Sequence, residues 1–130
     1  MSDTRIANAL FTLRLGVFIV MLMWTLDKFV NPQHSAAVFD NFYGLSNMGT
    51  GLFMVLGALQ LVLVLAFIAG FKKRFTYGAV FLLHAVSTLS SWQQYLDGFN
   101  NLLFFAAWPM LAACYALYIL RDMDTRWTLD

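Results

Sequence analysis

Polar side chains at helical spacing within one apolar segment are the best candidates for chemistry in this chain. His84, Ser87, Thr88 and Ser91 lie three or four residues apart, and Tyr95 continues the series. On a helix these residues share one face. Apolar surroundings cannot satisfy their hydrogen bonds, so the face must turn toward another helix, a partner or a wet cavity. The pattern therefore predicts either a ligand site or a set of hydrogen bonds between packed helices.

A second polar face lies in the first apolar segment. Arg14 and Lys28 are 14 residues apart, close to four whole turns, so they share a narrow face of one helix. An arginine in such a helix either donates hydrogen bonds to a carbonyl or an anion or extends its long side chain to the lipid headgroups. The sequence leaves both alternatives open.

The chain as a whole is far more apolar than a soluble domain. Its 130 residues are 61% hydrophobic and 12% charged, whereas an average soluble domain is roughly half apolar and about a quarter charged. This composition excludes a disordered chain, a nucleic-acid-binding protein and an ordinary soluble enzyme. It favours an integral membrane protein. The single cysteine, Cys114, cannot form an internal disulfide or a CxxC pair.

Four apolar segments approach the roughly 20 residues that a membrane-spanning helix needs. Asn31 and Pro32, a helix-start signal, open an amphipathic stretch between the first two segments. The sequence therefore predicts an all-α integral membrane four-helix bundle with a short outer amphipathic helix between spans one and two. The single transmembrane domain covers residues 1–130, with spans at about 6–30, 48–71, 75–96 and 102–120.

Basic residues flank the predicted spans mainly on one side, the side of both termini and of the link between spans two and three. Lys28 is the basic residue near the opposite side. Because Lys and Arg are enriched on the cytoplasmic side, we expect a multi-pass protein of the cell (inner) membrane with both termini in the cytoplasm. The residues on that side are Arg5, Lys72, Lys73, Arg74, Arg121 and Arg126.

Counting residues from the start of spans one and three places two pairs of residues at matching depths in the membrane. Arg14 and His84 match within the membrane, and Lys28 and Asp97 match near its outer surface. Since spans one and three run in the same direction, we expect one site between them. Arg14 and His84 would donate hydrogen bonds to a carbonyl or an anionic headgroup, and Lys28 and Asp97 would form an ion pair at the entrance.

Aromatic and hydroxyl groups complete the expected site. Trp24 and Trp92 would provide aromatic walls, and Ser87, Thr88 and Ser91 would line the path toward the outer surface. A quinone head, with its flat ring and two acceptor oxygens, fits these demands. The predicted cofactor is therefore a quinone.

Two further sets of residues are not expected to form a site of their own. His34 and His84, the two histidines of the chain, fall at different depths, so no metal site is expected. Asp122 and Asp124 are expected on a solvated tail with Arg126, which would leave Arg14 without a membrane carboxylate to pair with.

Short motifs along residues 13–97 resemble the DoxX-like family of small four-helix membrane proteins. The motifs are Arg14-Leu15-Gly16, Lys28, Pro32, Gly44, Gln60-Leu61 ten residues before Gly70, and the basic link that follows. The resemblance implies a four-helix membrane subunit of a quinone-linked redox complex, or a related maturation or trafficking factor. Gln60 departs from the family pattern, in which an acidic residue is common.

Three functions compete on this evidence. The first is an accessory subunit of a redox-enzyme complex that holds a quinone or similar lipid-soluble ligand between spans one and three. The second is a non-enzymatic membrane assembly or chaperone factor, whose many aromatic residues, 17% of the chain, would supply contacts. The third is a small transporter, which would need homo-oligomers because one four-helix bundle leaves little lumen. In each case the lipid bilayer is a partner and nucleic acid is not.

The distribution of basic residues makes the topology testable. In a Cys114→Ala background, a Ser35→Cys substitution should react with a membrane-impermeant maleimide added from outside the cell. Reaction only after the cytoplasmic face is opened would reverse the predicted orientation.

Overall fold

Four long helices and one short helix build the structure, a computed structural model that describes residues 3–30, 50–100 and 102–129. The α-helices are α1 (Asp3–Val30), α2 (Thr50–Ile68), α3 (Lys73–Ser90), α4 (Trp92–Leu96) and α5 (Ala107–Ile119). Short 3-10 helices cover Gly98–Asn100, Leu102–Ala106 and Arg121–Met123. The described residues contain no β-strand, which confirms the all-α prediction. The predicted outer helix between spans one and two lies outside the described residues.

The four long helices form a ring around one core. Each of α1, α2, α3 and α5 packs against two neighbours, in the order α1–α2–α3–α5 and back to α1. Helices α1 and α3 therefore face each other across the diagonal of the bundle. The buried apolar side chains of all four long helices meet in one cluster, made of Leu10, Val17, Met21, Val64, Phe67, Tyr77, Val80, Cys114 and Leu117.

A tight glycine turn joins α2 to α3. The backbone N–H of Phe71 donates to the carbonyl of Ala66 at 3.0 Å, and that of Gly70 donates to Phe67 at 3.0 Å. This pair of bonds is the Schellman arrangement that ends a helix with a left-handed residue, and Gly70 has φ +65°. Lys72 follows, also left-handed at φ 52°, and α3 begins at the next residue. The short link makes α2 and α3 antiparallel neighbours.

The third predicted span is interrupted, and the fourth begins as a 3-10 helix that continues directly into α5. Instead of one helix to residue 96, α3 ends at Ser90, and Ser91 has φ −91° and ψ 21°. Pro109 lies in the first turn of α5, where a missing N–H costs nothing. The residues before it, Leu102–Ala106, form a 3-10 helix instead.

Two helical stretches are long and apolar enough to cross a membrane. They are Thr4–Asp27 and Leu102–Ile119, and Met54–Ile68 forms a shorter apolar helix. Helix α3 contains 18 residues, but Lys73, Arg74 and its polar face lower its hydropathy.

A close approach of α3 and α5 yields a stability prediction. A Cβ atom on Gly78 would lie 3.2 Å from Cε1 of Tyr118, whereas a Cβ on Gly16 would meet nothing within 4 Å. Gly78→Leu should therefore lower the free energy of unfolding by about 1–3 kcal/mol through overpacking. The measurement is chemical or thermal unfolding of the protein in detergent.

The matched control is Gly16→Leu on the exposed side of α1. It should leave stability unchanged or raise it slightly, because leucine favours helix more than glycine does. Equal effects of the two substitutions would contradict the packing of α3 on α5.

Candidate functional site

A buried ion pair lies at one end of the bundle, where α1 and α3 face the C-terminal residues. The Arg14 Nη1 atom donates to Oδ1 of Asp124 at 2.9 Å, and the hydroxyl of Tyr77 donates to Oδ2 of the same carboxylate at 2.5 Å. The side chains of Arg14 and Asp124 are both 0% exposed. Each carboxylate oxygen thus receives its own donor. We refer to this end as the tail end of the bundle and to residues 121–129 as the C-terminal tail.

The backbone of the C-terminal tail is held by the same two helices and by the α2–α3 link. The Arg14 Nη2 atom donates to the carbonyl oxygens of Arg126 at 2.6 Å and Trp127 at 3.1 Å. The Lys73 ammonium donates to the carbonyl oxygen of Asp124 at 2.8 Å. The N–H of Leu129 donates to the carbonyl of Ala69 at 2.8 Å. The tail therefore docks mainly through one carboxylate and its own peptide groups.

These contacts overturn two expectations. Asp124 is not on a solvated tail, since its side chain is fully buried, and Arg14 does have a carboxylate to pair with. The physical reason is the cost of a buried unpaired charge, which a carboxylate within reach removes. A signal existed in the sequence, because an even number of spans places the C-terminus at the same end as Arg14. Asp122 remains exposed, as expected.

The register of α1 against α3 also differs from the expectation. Arg14 meets Tyr77, with Nη1 and the hydroxyl oxygen 3.4 Å apart, and the ring of Trp24 lies 6.1 Å from that of His84. Arg14 and His84 are therefore at different levels. Helix α1 has 28 residues and α3 has 18, so α1 projects beyond α3 by several turns, and counting from the first apolar residue of each gives the wrong level.

His84 lies near the opposite end, which we call the histidine end. Its side chain is 1% exposed, and its Nε2 atom lies 3.0 Å from the carbonyl oxygen of Ala107 at the start of α5. Because a carbonyl only accepts, Nε2 carries the proton and Nδ1 is an acceptor. Nδ1 is buried and has no hydrogen-bond partner among the described residues. His84 therefore ties α3 to α5 and presents one unused lone pair.

The hydroxyl groups of Thr88, Ser91 and Tyr95 on the predicted polar face bond to backbone carbonyls of α3. Thr88 donates to the carbonyl of His84 at 2.8 Å, and Ser91 donates to the carbonyl of Ser87 at 3.2 Å. The hydroxyl of Tyr95 donates to the carbonyl of Thr88 at 2.9 Å. Such bonds to preceding carbonyls satisfy a hydroxyl without a second helix. None of them reaches across to α1.

The predicted aromatic walls and entrance pair have different outcomes. Trp24 is in contact with the ring of His84 as described, while Trp92, on α4, is 58% exposed. Asp97 accepts from the side-chain amide of Asn100 at 3.0 Å. The side chain of Lys28 lies outside what the structure describes, so the entrance ion pair stays a prediction.

An open groove of about 480 Å³ lies at the histidine end, beside α4 and the 3-10 segments. The ring of Tyr95 packs on those of Phe105 and Trp108, each at 5.3 Å. A second buried acceptor, Oε1 of Gln94, has no partner among the described residues. The sequence reasoning missed this groove because it forms only where α4 and the following turns fold back. Its lining residues are Tyr95, Leu96, Gly98, Phe99, Leu102 and Phe105.

The described residues contain no group of three or more His, Cys, Asp or Glu side chains placed to hold a metal ion. His34 lies outside these residues. Comparison of the chain with protein-family models, with curated proteins and with solved structures finds no match. The likeness to the DoxX-like family thus stays a prediction from the short motifs.

Removing one partner of the buried pair should be costly. Asp124→Ala leaves Arg14 buried without its carboxylate, so the free energy of unfolding should fall by about 3–5 kcal/mol. Denaturation in detergent would measure the loss.

Asp122→Ala is the matched control, since Asp122 is exposed and only two residues away; it should change stability by less than about 0.5 kcal/mol. The double variant Arg14→Leu with Asp124→Leu should recover part of the loss. Apolar replacement of both partners removes the unpaired charge, but the Tyr77 hydroxyl and the carbonyls of Arg126 and Trp127 lose their partners. A double variant no more stable than Asp124→Ala would assign the effect to tail packing instead.

Proposed function

We propose that this chain is an integral membrane accessory subunit without catalytic activity of its own. The support is the exposure of its apolar helices. Only 28% of the most apolar 18-residue stretch of Thr4–Asp27 is buried, and only 11% of the stretch Leu102–Ile119. The core helix of a soluble protein is mostly buried. Exposed apolar helix surfaces of this kind are stable in contact with lipid. With α2 and α3 completing the ring, the bundle has four spans and both termini on the cytoplasmic side.

The subunit holds a lipid-soluble ligand of the quinone class at the histidine end. The observation that carries this proposal is the aromatic groove, whose volume of about 480 Å³ lies within the range of small-molecule sites, roughly 300–1,000 Å³. The polar chain Tyr95–Thr88–His84 runs from the groove toward the core. Arg14 takes no part, because Asp124 and the tail carbonyls already use its Nη atoms.

The unpartnered atoms at this end favour the reduced form of the ligand. Nδ1 of His84 and Oε1 of Gln94 are both acceptors, so they match a group that donates. Neither residue lines the groove, so the proposal places the ligand ring in the groove and one of its hydroxyl groups beyond Tyr95, toward these atoms. A quinone has only acceptor oxygens, whereas a quinol carries two hydroxyl donors. The ligand class is therefore a flat, lipid-soluble ring with free hydroxyl groups, and binding it involves no electron transfer by this chain.

Ligand preference tests this function. Purified protein in detergent should bind a decyl-tailed benzoquinol about tenfold more tightly than the corresponding dimethyl ether, which is the order expected for one buried hydrogen bond. Native mass spectrometry and the ligand-induced rise of the unfolding midpoint would measure it. The substitution His84→Phe keeps a flat ring without nitrogen and should abolish the preference.

Two phenylalanines provide matched variants. Phe105→Ala removes a wall of the groove and should weaken binding, whereas Phe75→Ala removes an exposed ring from the first turn of α3, near the tail end, and should not. Equal binding of quinol and ether, or equal loss in both variants, would remove the groove as the site.

A membrane assembly factor is the second candidate. It is favoured because the two residues predicted to bind a ligand have partners within the protein. His84 donates to a backbone carbonyl, and Arg14 pairs with Asp124. Under this alternative, mild purification from membranes would recover a stoichiometric protein partner and no quinol-sized ligand.

A further inference from the structure

The C-terminal tail occupies the tail end of the bundle in the manner of a bound peptide. Its carboxylate receives one donor on each oxygen, from Arg14 and Tyr77. The backbone carbonyl at position 124 accepts a hydrogen bond from Lys73, and those at 126 and 127 accept from Arg14. The N–H at 129 donates to a carbonyl of the α2–α3 link. The receptor groups come from α1, α3 and that link, none of which belongs to the tail.

Apart from Asp124 and Thr128, which packs against Gly70, the side chains of residues 124–129 are exposed. Trp127 is 71% exposed and Leu129 is 73% exposed, and Thr125 and Arg126 are exposed as well. The groups at the tail end therefore bind mainly one aspartate carboxylate and the peptide backbone that follows it. Any segment with an aspartate and an accessible backbone presents the same groups.

Two features indicate that the docked tail is replaceable. Trp127 has φ 55°, a left-handed conformation that is strained for a bulky residue, and the bond from Arg14 to its carbonyl holds it there. The Nε atom of Arg14 is buried and has no partner among the described residues. The tail thus carries strain and leaves one donor of the pocket unused.

We propose that Arg14, Tyr77 and Lys73 form a peptide-carboxylate site, that Asp124 is its internal ligand, and that an aspartate-bearing segment of a partner protein displaces the tail from it. The tethered tail competes at an effective concentration in the millimolar range, so the site is closed in the isolated protein. A partner held nearby in the membrane gains a comparable effective concentration and can exchange with it.

A peptide supplied in trans tests the site in the full-length chain. In the Asp124→Asn protein, a labelled peptide of residues 121–129 should bind at least tenfold more tightly than the same peptide with the D124N change, measured by fluorescence anisotropy in detergent. A peptide with the D122N change should bind like the unmodified one. The wild-type and Asp122→Asn proteins should bind the peptide more weakly, because their own tails compete.

Equal binding of the unmodified and D124N peptides, or binding of neither to folded protein, would show that the pocket serves only the tail. If Asp124→Asn is not folded, Gly70→Ala takes its place. Its Cβ would lie 2.6 Å from Cβ of Thr128, and its φ of +65° strains the α2–α3 link, so the tail is pushed away while Arg14 and Tyr77 stay unchanged. This site lies at the opposite end from the groove, so its failure leaves the quinol proposal intact, and the reverse also holds.

Discussion

A guanidinium group fully buried inside an apolar bundle is the constraint on which the tail end of this structure depends. Arg14 would cost several kcal/mol without a partner, and the carboxylate that pairs with it comes from 110 residues further along the chain. That single pairing draws the C-terminal tail over the end of the bundle. It also places Tyr77 beside the carboxylate and requires glycine at position 70, where Thr128 leaves no room for a Cβ.

The two ends of the bundle differ in how their polar groups are satisfied. At the tail end most hydrogen-bond donors have acceptors. Because the donors come from several elements, they fix the position of the C-terminal tail. At the histidine end the hydroxyl groups of Thr88, Ser91 and Tyr95 bond to backbone carbonyls of α3, and the atoms left over are acceptors, Nδ1 of His84 and Oε1 of Gln94. A small ligand with hydroxyl donors therefore suits the histidine end, while a peptide carboxylate suits the tail end.

Between these ends, packing is set by shape. Gly78 allows the ring of Tyr118 to lie close to α3, and the buried apolar side chains of all four long helices meet in one cluster. The last helical stretch begins as a 3-10 helix, Leu102–Ala106, and continues directly into α5. These first turns, together with α4, create the groove, which therefore arises where α3 ends and the last helical stretch begins.

The sequence by itself determined the helical class and the approximate position of each helix, because long apolar runs and a glycine turn act locally. It also identified Arg14 and His84 as residues that need partners. Which partners they have was decided only by tertiary structure. Helix register, set by the unequal lengths of α1 and α3, separates Arg14 from His84. Chain topology brings Asp124 to Arg14, since pairing between distant residues depends on how the helices pack and leaves no periodic signal along the chain.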